Sequence, residues 1–323
     1  EPRPALLDPR ESHAIIVSAT RLEALGACPL RYLLRYGIGL RPPGDPELDP
    51  ERWLDPLQRG ALLHRVFELL LSRARDQEMD AEHPGYVQMA MGILAQEVAH
   101  LRDVLPVPNE SVFRHTHDLL QDDVRSFAEA VREMGAPWVR LEMKFGRDEA
   151  APVELELDEG SILIQGAVDR VDRTSEGLRV IDYKTGSRNP YRRISEADPD
   201  NHGEFLQLPI YGLAARAVAG TPDTEVHGQY WFLTDGGAHL GHPLSEPVLE
   251  RFDAVLTTII DGIEQGLYPA RPPENPNFGI GCDYCDPDGL GVESAQARWD
   301  HKRPDPALGP YRILIGDLGG DGD

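Results

Sequence analysis

Residues 165–186, "QGAVDRVDRTSEGLRVIDYKTG", constrain the fold more than any other stretch. Two runs rich in Val, Ile and Leu flank the tetrapeptide 174–177, whose Ser and Gly favour a turn. The pattern predicts an antiparallel hairpin. With those four residues as the loop, Arg173 stands opposite Leu178. Counting back places Asp169 opposite Asp182 and Ala167 opposite Lys184. Side chains alternate along a strand, so Asp169, Asp182 and Lys184 share one face and Tyr183 points to the other. Opposed positions bring Cβ atoms to ~4.5–5.5 Å, where two carboxylates repel. A divalent cation held by both is the simplest compensation, because hard cations prefer carboxylate oxygens. Lys184 then stands where it can stabilise an anionic transition state or orient a water. Asp-x-Lys alone is more often an ordinary surface ion pair. The second aspartate moves the reading toward a metal site, and a slip of one residue would undo it.

Around the hairpin, the spacing of apolar residues gives the order of elements. Residues 1–17 carry three prolines and read as a linker or extended arm. Thr20 and Glu23 fit a capping box, which predicts a helix through Tyr36 with Gly37 as its stop. Helical spacing recurs at 56–75, 80–103 and 115–134. The period then changes, and 138–145, 153–157, 161–171 and 178–184 read as strands. A helix over 203–219, a strand over 225–233, a helix over 247–266 and a short helix over 294–303 complete the chain. This order predicts one α/β domain over 18–323. It has a helical insertion (46–135), a catalytic core around a small mixed sheet (136–235) and a C-terminal helical part (236–323). A separately folded 46–135 is the alternative.

Composition narrows the function. The formal charge of −23 argues against a general nucleic-acid-binding surface, since neutralising phosphates needs Lys and Arg. It leaves room for local basic paths, of which Arg31, Arg35 and Arg41, and Arg188, Arg192 and Arg193, are candidates; solvated surface charge is the plainer reading. No run approaches the ~18 apolar residues of a membrane helix, and there is no signal peptide. Three cysteines, an odd and low number, point to a reducing compartment, expected to be the cytoplasm. The chain begins with Glu1 rather than Met, as expected of a piece of a longer polypeptide.

The ordered motifs "GAVDRVD", "VIDYKTG" and "QLPIY" resemble the PD-(D/E)XK nucleases of the RecB/AddB-like exonuclease family. "SATRLEALGACPLRYLLRYGIGL" resembles the family's first helix with its first cysteine, and "RGALLHRVFE" its Gly-x-x-x-His segment. The resemblance covers most of the chain. It implies a restriction-endonuclease-like core, a small mixed sheet flanked by helices. It implies that Asp169, Asp182, the Tyr183 carbonyl and His64 are metal ligands for Mg2+ or Mn2+, with Lys184 the catalytic lysine. Gln207 and Tyr211, one helical turn apart, would orient the lysine or the DNA. Glu142 is a further acidic candidate, although charged residues are common on edge strands. Cys28, Cys282 and Cys285 fall at three of the four positions that hold a four-iron four-sulfur cluster in the AddB-type branch; the fourth is Gly291. A cluster with another fourth ligand, a three-iron form, a zinc site completed by a histidine such as His301, and a relic packed as small hydrophobes all remain open. In each case Cys28 is expected beside the other two.

The implied activity is a metal-dependent DNA exonuclease attached to a helicase domain or subunit and acting on a single strand or duplex end. Its implied process is double-strand-break repair. A non-catalytic DNA-binding scaffold with the same fold, and a stand-alone RecB-like exonuclease of a CRISPR-type system, are the alternatives.

Overall fold

The computed structural model describes residues 7–10, 15–41, 49–134, 138–157, 160–233, 237–271 and 295–317. A mixed sheet at its centre is built on one long strand. In β4 (Ser161–Arg173), buried and half-exposed residues alternate from Ser161 to Arg170, the period of two that a half-buried strand requires. Its first half lies between β1 (Ile16–Ser18), which is parallel to it, and β3 (Val153–Glu156), which is antiparallel. Its second half lies between β2 (Trp138–Phe145) and β5 (Leu178–Lys184), both antiparallel. The sheet continues from β5 to parallel β6 (Val226–Phe232) and antiparallel β7 (Ala238–Pro243). β1 comes from the end of the stretch read as an arm. Asp8 in that stretch is buried, and Arg10 pairs with it at 3.0 Å and with Asp261 at 2.8 Å.

Helices cover both faces, as expected of the restriction-endonuclease-like core. One layer is α3 (Pro56–Asp76), α4 (Tyr86–Val104) and α5 (Glu110–Met134). It shares a core with Ile181, Tyr183, Trp231 and Leu233 of the sheet side. The other face is covered by α1 (Ala19–Ala27), the short α2 (Pro29–Tyr32), α6 (Gln207–Ala219) and α7 (Glu246–Glu264). It is completed by α8 (Ala295–Lys302) and α9 (Gly309–Leu314). Val168, Val180, Ile210 and Ile259 belong to that second core. Neighbouring residues of β5 thus enter opposite cores. The helical layer also packs on the sheet through a continuous apolar core. No helix among the described residues is long and apolar enough to cross a membrane.

Three local expectations are corrected. The first helix starts two residues early, because Ser18 is its N-cap and accepts the Arg21 N–H at 3.3 Å. The Thr20–Glu23 capping box therefore does not form. The same helix does not run on to Tyr36: Cys28 is extended (φ −164°, ψ 102°) and Pro29 opens α2. A residue before proline is pushed out of the helical region, which accounts for the break. The hairpin register holds for four pairs, from Arg173–Leu178 to Arg170–Ile181. The ladder then ends. Asp169 and Asp182 are not a ladder pair, and Ala167 pairs with Lys144 of β2 rather than standing opposite Lys184. Beyond Ile181, β5 follows β6, with which it pairs as far as Lys184–Phe232.

Candidate active site

Where the ladder stops, side chains take over. Asp169 Oδ2 accepts the Tyr183 N–H at 2.7 Å, so a carboxylate occupies the place of the next ladder partner. The Tyr183 ring turns into the core under the helical layer. That ring packs edge-on against Phe67 and Phe127, with centroids at 5.6 and 5.4 Å. Tyr183 therefore offers the site its backbone, as its strand position predicts.

α3 brings the histidine. Asp55 caps the helix in a reciprocal box with Gln58, and Pro56 occupies the first turn, a strong start signal. Gly60 lets this turn approach the end of β5, since a Cβ there would lie 3.2 Å from Thr185 Oγ1. One turn on, His64 Nε2 lies 3.2 Å from the Tyr183 carbonyl oxygen and Nδ1 lies 3.4 Å from Asp169 Oδ1. Burial acts to lower the His64 pKa. The Asp169 hydrogen bond and the charges of Asp169, Asp182 and Glu142 outweigh it and raise it to about 9.

β2 brings the carboxylate that the sequence placed only loosely. Leu141 pairs with Arg170 and Met143 with Val168, so Glu142 falls opposite Asp169. Its backbone has φ 44°, a left-handed conformation rare for a residue with a side chain. His64, Glu142 and Asp169 each offer a ligand atom, and these atoms all lie within 4.8 Å of one another. Burial first, and Asp169 second, push the Glu142 carboxyl up to about 7. One imidazole and two carboxylates form a donor set suited to Mn2+ or Mg2+. Asp182 is outside that group. Its buried Oδ2 makes no aligned hydrogen bond among the described residues and lies 2.6 Å from Lys184 Nζ. Burial pushes the Asp182 carboxyl up, against the pull of Lys184.

Lys184 is held on its other side by Gln207, whose Oε1 accepts from Nζ at 2.7 Å. The ammonium also lies 4.9 Å from the Tyr230 ring centre and 5.7 Å from that of Tyr191, a favourable placement for a cation. Burial acts to lower its pKa, yet Asp182 and Tyr191 hold it above the ordinary lysine value, so Nζ keeps its charge. Tyr211, one turn along α6, is buried edge-on to Phe145 at 6.3 Å. Gly166 makes room for both rings: a Cβ there would meet Phe145 at 2.7 Å and Tyr211 at 3.4 Å. Burial, then Asp182 and Asp169, raise the Tyr211 hydroxyl above its usual value.

The structure thus gathers His64, Asp169, Asp182, Tyr183, Lys184, Gln207 and Tyr211 at one end of the sheet. It adds Glu142 by register, and Glu23, whose inward position no sequence pattern signalled. Cys28 caps the end of α1, whereas Cys282, Cys285 and Gly291 lie outside the described residues. His301 is exposed on α8.

A helix-covered mixed sheet with an Asp…Asp-x-Lys hairpin defines a class, that of nucleases built on this core. The chain belongs to the PD-(D/E)XK nuclease superfamily, whose sequence profile matches residues 16–288. It is similar to proteins named as subunits of an ATP-dependent helicase/deoxyribonuclease. The Clostridioides difficile protein is 25% identical over 215 residues, 60% of this chain and 17% of the relative. That of Desulforudis audaxviator is 27% identical over 249 residues, 72% of this chain and 20% of the relative. That of Streptococcus mutans is 31% identical over 196 residues, 60% of this chain and 16% of the relative. The chain therefore matches about a fifth or less of the length of these relatives.

Proposed function

We propose that this chain is the divalent-metal-dependent deoxyribonuclease module of a cytoplasmic helicase–nuclease, hydrolysing a DNA strand during double-strand-break processing. The observation that carries the reading is the convergence of His64, Glu142 and Asp169 beside the Asp182–Lys184–Gln207 chain of contacts. The relatives' names, which join helicase and deoxyribonuclease, support the substrate and the partner, a helicase domain or subunit. His64, Glu142 and Asp169 would hold Mg2+ or Mn2+, with Asp182 and the Tyr183 carbonyl as further oxygen donors. When bound there, the cation supplies Lewis acidity toward a phosphoryl oxygen and acidifies water.

The chain's own residues do the rest. The Tyr183 N–H fixes Asp169, and Asp169 in turn orients His64. Lys184 carries three N–H donors. Asp182, Gln207 and the Tyr191 side chain hold them, and so positioned the ammonium would face charge developing on the phosphoryl group.

A single-stranded oligonucleotide incubated with Mg2+ or Mn2+ tests the proposal. Wild-type protein should cleave it, EDTA should stop cleavage, and Lys184→Ala should lower kcat by about 10²–10³-fold, the usual loss for one electrostatic stabiliser. No metal-dependent cleavage would leave a DNA-binding scaffold as the function, and equal cleavage by the variant would overturn the active site built on Lys184.

A further inference from the structure

α6 presents an unusual N-terminus. Its N-cap is Leu206, which has no side-chain oxygen to satisfy the first N–H groups of the helix. Glu23 of α1 does so from 183 residues away in sequence. Its Oε1 accepts the Leu206 N–H at 2.8 Å and the Gln207 N–H at 3.1 Å. A carboxylate at this end also complements the helix dipole. Gln207 is the first residue of α6, and its side chain is the acceptor for Lys184 Nζ at 2.7 Å. The contacts therefore run unbroken from Glu23 through the start of α6 and Gln207 to the lysine. Glu23 is half-buried, and desolvation pushes its carboxyl up to about 7 in spite of the two N–H donors and Lys184. An acid kept there at such a cost is not filling space as an apolar residue could.

We infer that Glu23 is a positioning residue for Lys184: by capping α6 from another helix it fixes Gln207, the acceptor that aims the ammonium. Its kinetic consequence rests on the nuclease reading above; its structural consequence does not. The sequence offered only a local role for Glu23, the capping of its own helix, which Ser18 performs instead.

The test uses Glu23→Ala, Glu23→Gln, Gln207→Ala and the double variant Glu23→Ala/Gln207→Ala. Gln retains an acceptor oxygen and Ala does not. On a single-stranded oligonucleotide with Mg2+, Glu23→Ala should lose about ten- to hundred-fold in kcat with KM nearly unchanged. The upper figure is what a misplacement of about 1 Å produces. Glu23→Gln should recover most of the loss. The double variant should be no slower than the slower single one, because residues acting as a unit are not additive. Losses that multiply, or a Glu23→Ala kcat equal to wild type, would overturn the inference.

Two readouts need no catalysis. Amide exchange at Leu206 and Gln207 should accelerate in Glu23→Ala and not in Glu23→Gln. The NMR signal of the Lys184 ammonium, immobilised by Gln207, should weaken in Glu23→Ala and in Gln207→Ala but not in Glu23→Gln. Unchanged exchange and an unchanged ammonium signal would refute the positioning role even in a protein with no nuclease activity, while wild-type inactivity alone refutes only the nuclease reading.

Discussion

Asp169 holds the Tyr183 N–H with one oxygen and faces His64 with the other, so its substitution would loosen two site groups together. This residue was legible because the turn at 174–177 fixed the register. Its relation to Asp182 was legible only in part, since a pairing pattern does not say where a ladder ends. Glu142 shows the limit more clearly. Its place opposite Asp169 depends on pairing between β2 and β4, strands joined through β3, and on a left-handed backbone that no local pattern announces. Glu142→Gln should weaken Mn2+ binding at least about ten-fold by calorimetry, the scale of loss seen even for groups that only support metal ligands; unchanged affinity would remove Glu142 from the donor set. Glu23 carries a second prediction, from its pKa of about 7 against an ordinary 4.5. Between those values the folded protein binds a proton that the unfolded chain has released, so this group's contribution to stability falls as pH rises through the window. Glu23→Gln should lack that decline. Melting temperatures of both proteins from about pH 4.5 to 8 would show it, and parallel curves would contradict it.

Among the elements, β5 joins the two halves of the fold. Tyr183 enters the stack of Phe67, Phe127 and Trp231, while Asp182 and Lys184 on either side of it face the site. Phe67 and Phe127 stack at 3.9 Å. Phe127→Ala should cost about 3–5 kcal/mol, as for other buried aromatic truncations, measured by urea unfolding. A loss below about 1 kcal/mol would mean the stack is dispensable. The long helices and most strands were legible within a few residues, because each carries a full period of apolar positions. β1 and β7 were not: three residues are too few to show a period, and "AHLGHP" has little β character. The break at Cys28 had a signal in Pro29, overridden by the apolar spacing that continues through it.

At the scale of the molecule, α3, α4 and α5 complete the sheet. Ile181, Tyr183, Trp231 and Leu233 are buried against them. Deleting 49–134 would expose that apolar face, as well as removing His64. The shortened chain is expected to bind a hydrophobic dye and to run as an aggregate by size exclusion; a monodisperse, dye-negative product would show the layer to be an independent unit. The charge of −23 belongs to this scale too. It says little about the site, where Lys184 is surrounded by Asp182, Gln207 and two aromatic rings that composition cannot reveal. Finally, the end of α1 is fastened to the far end of the chain. The Gly26 carbonyl accepts from the Tyr311 hydroxyl at 3.3 Å and faces the Arg271 guanidinium at 3.5 Å. Loosening α9 would therefore also free the end of α1, the helix from which Glu23 reaches the start of α6.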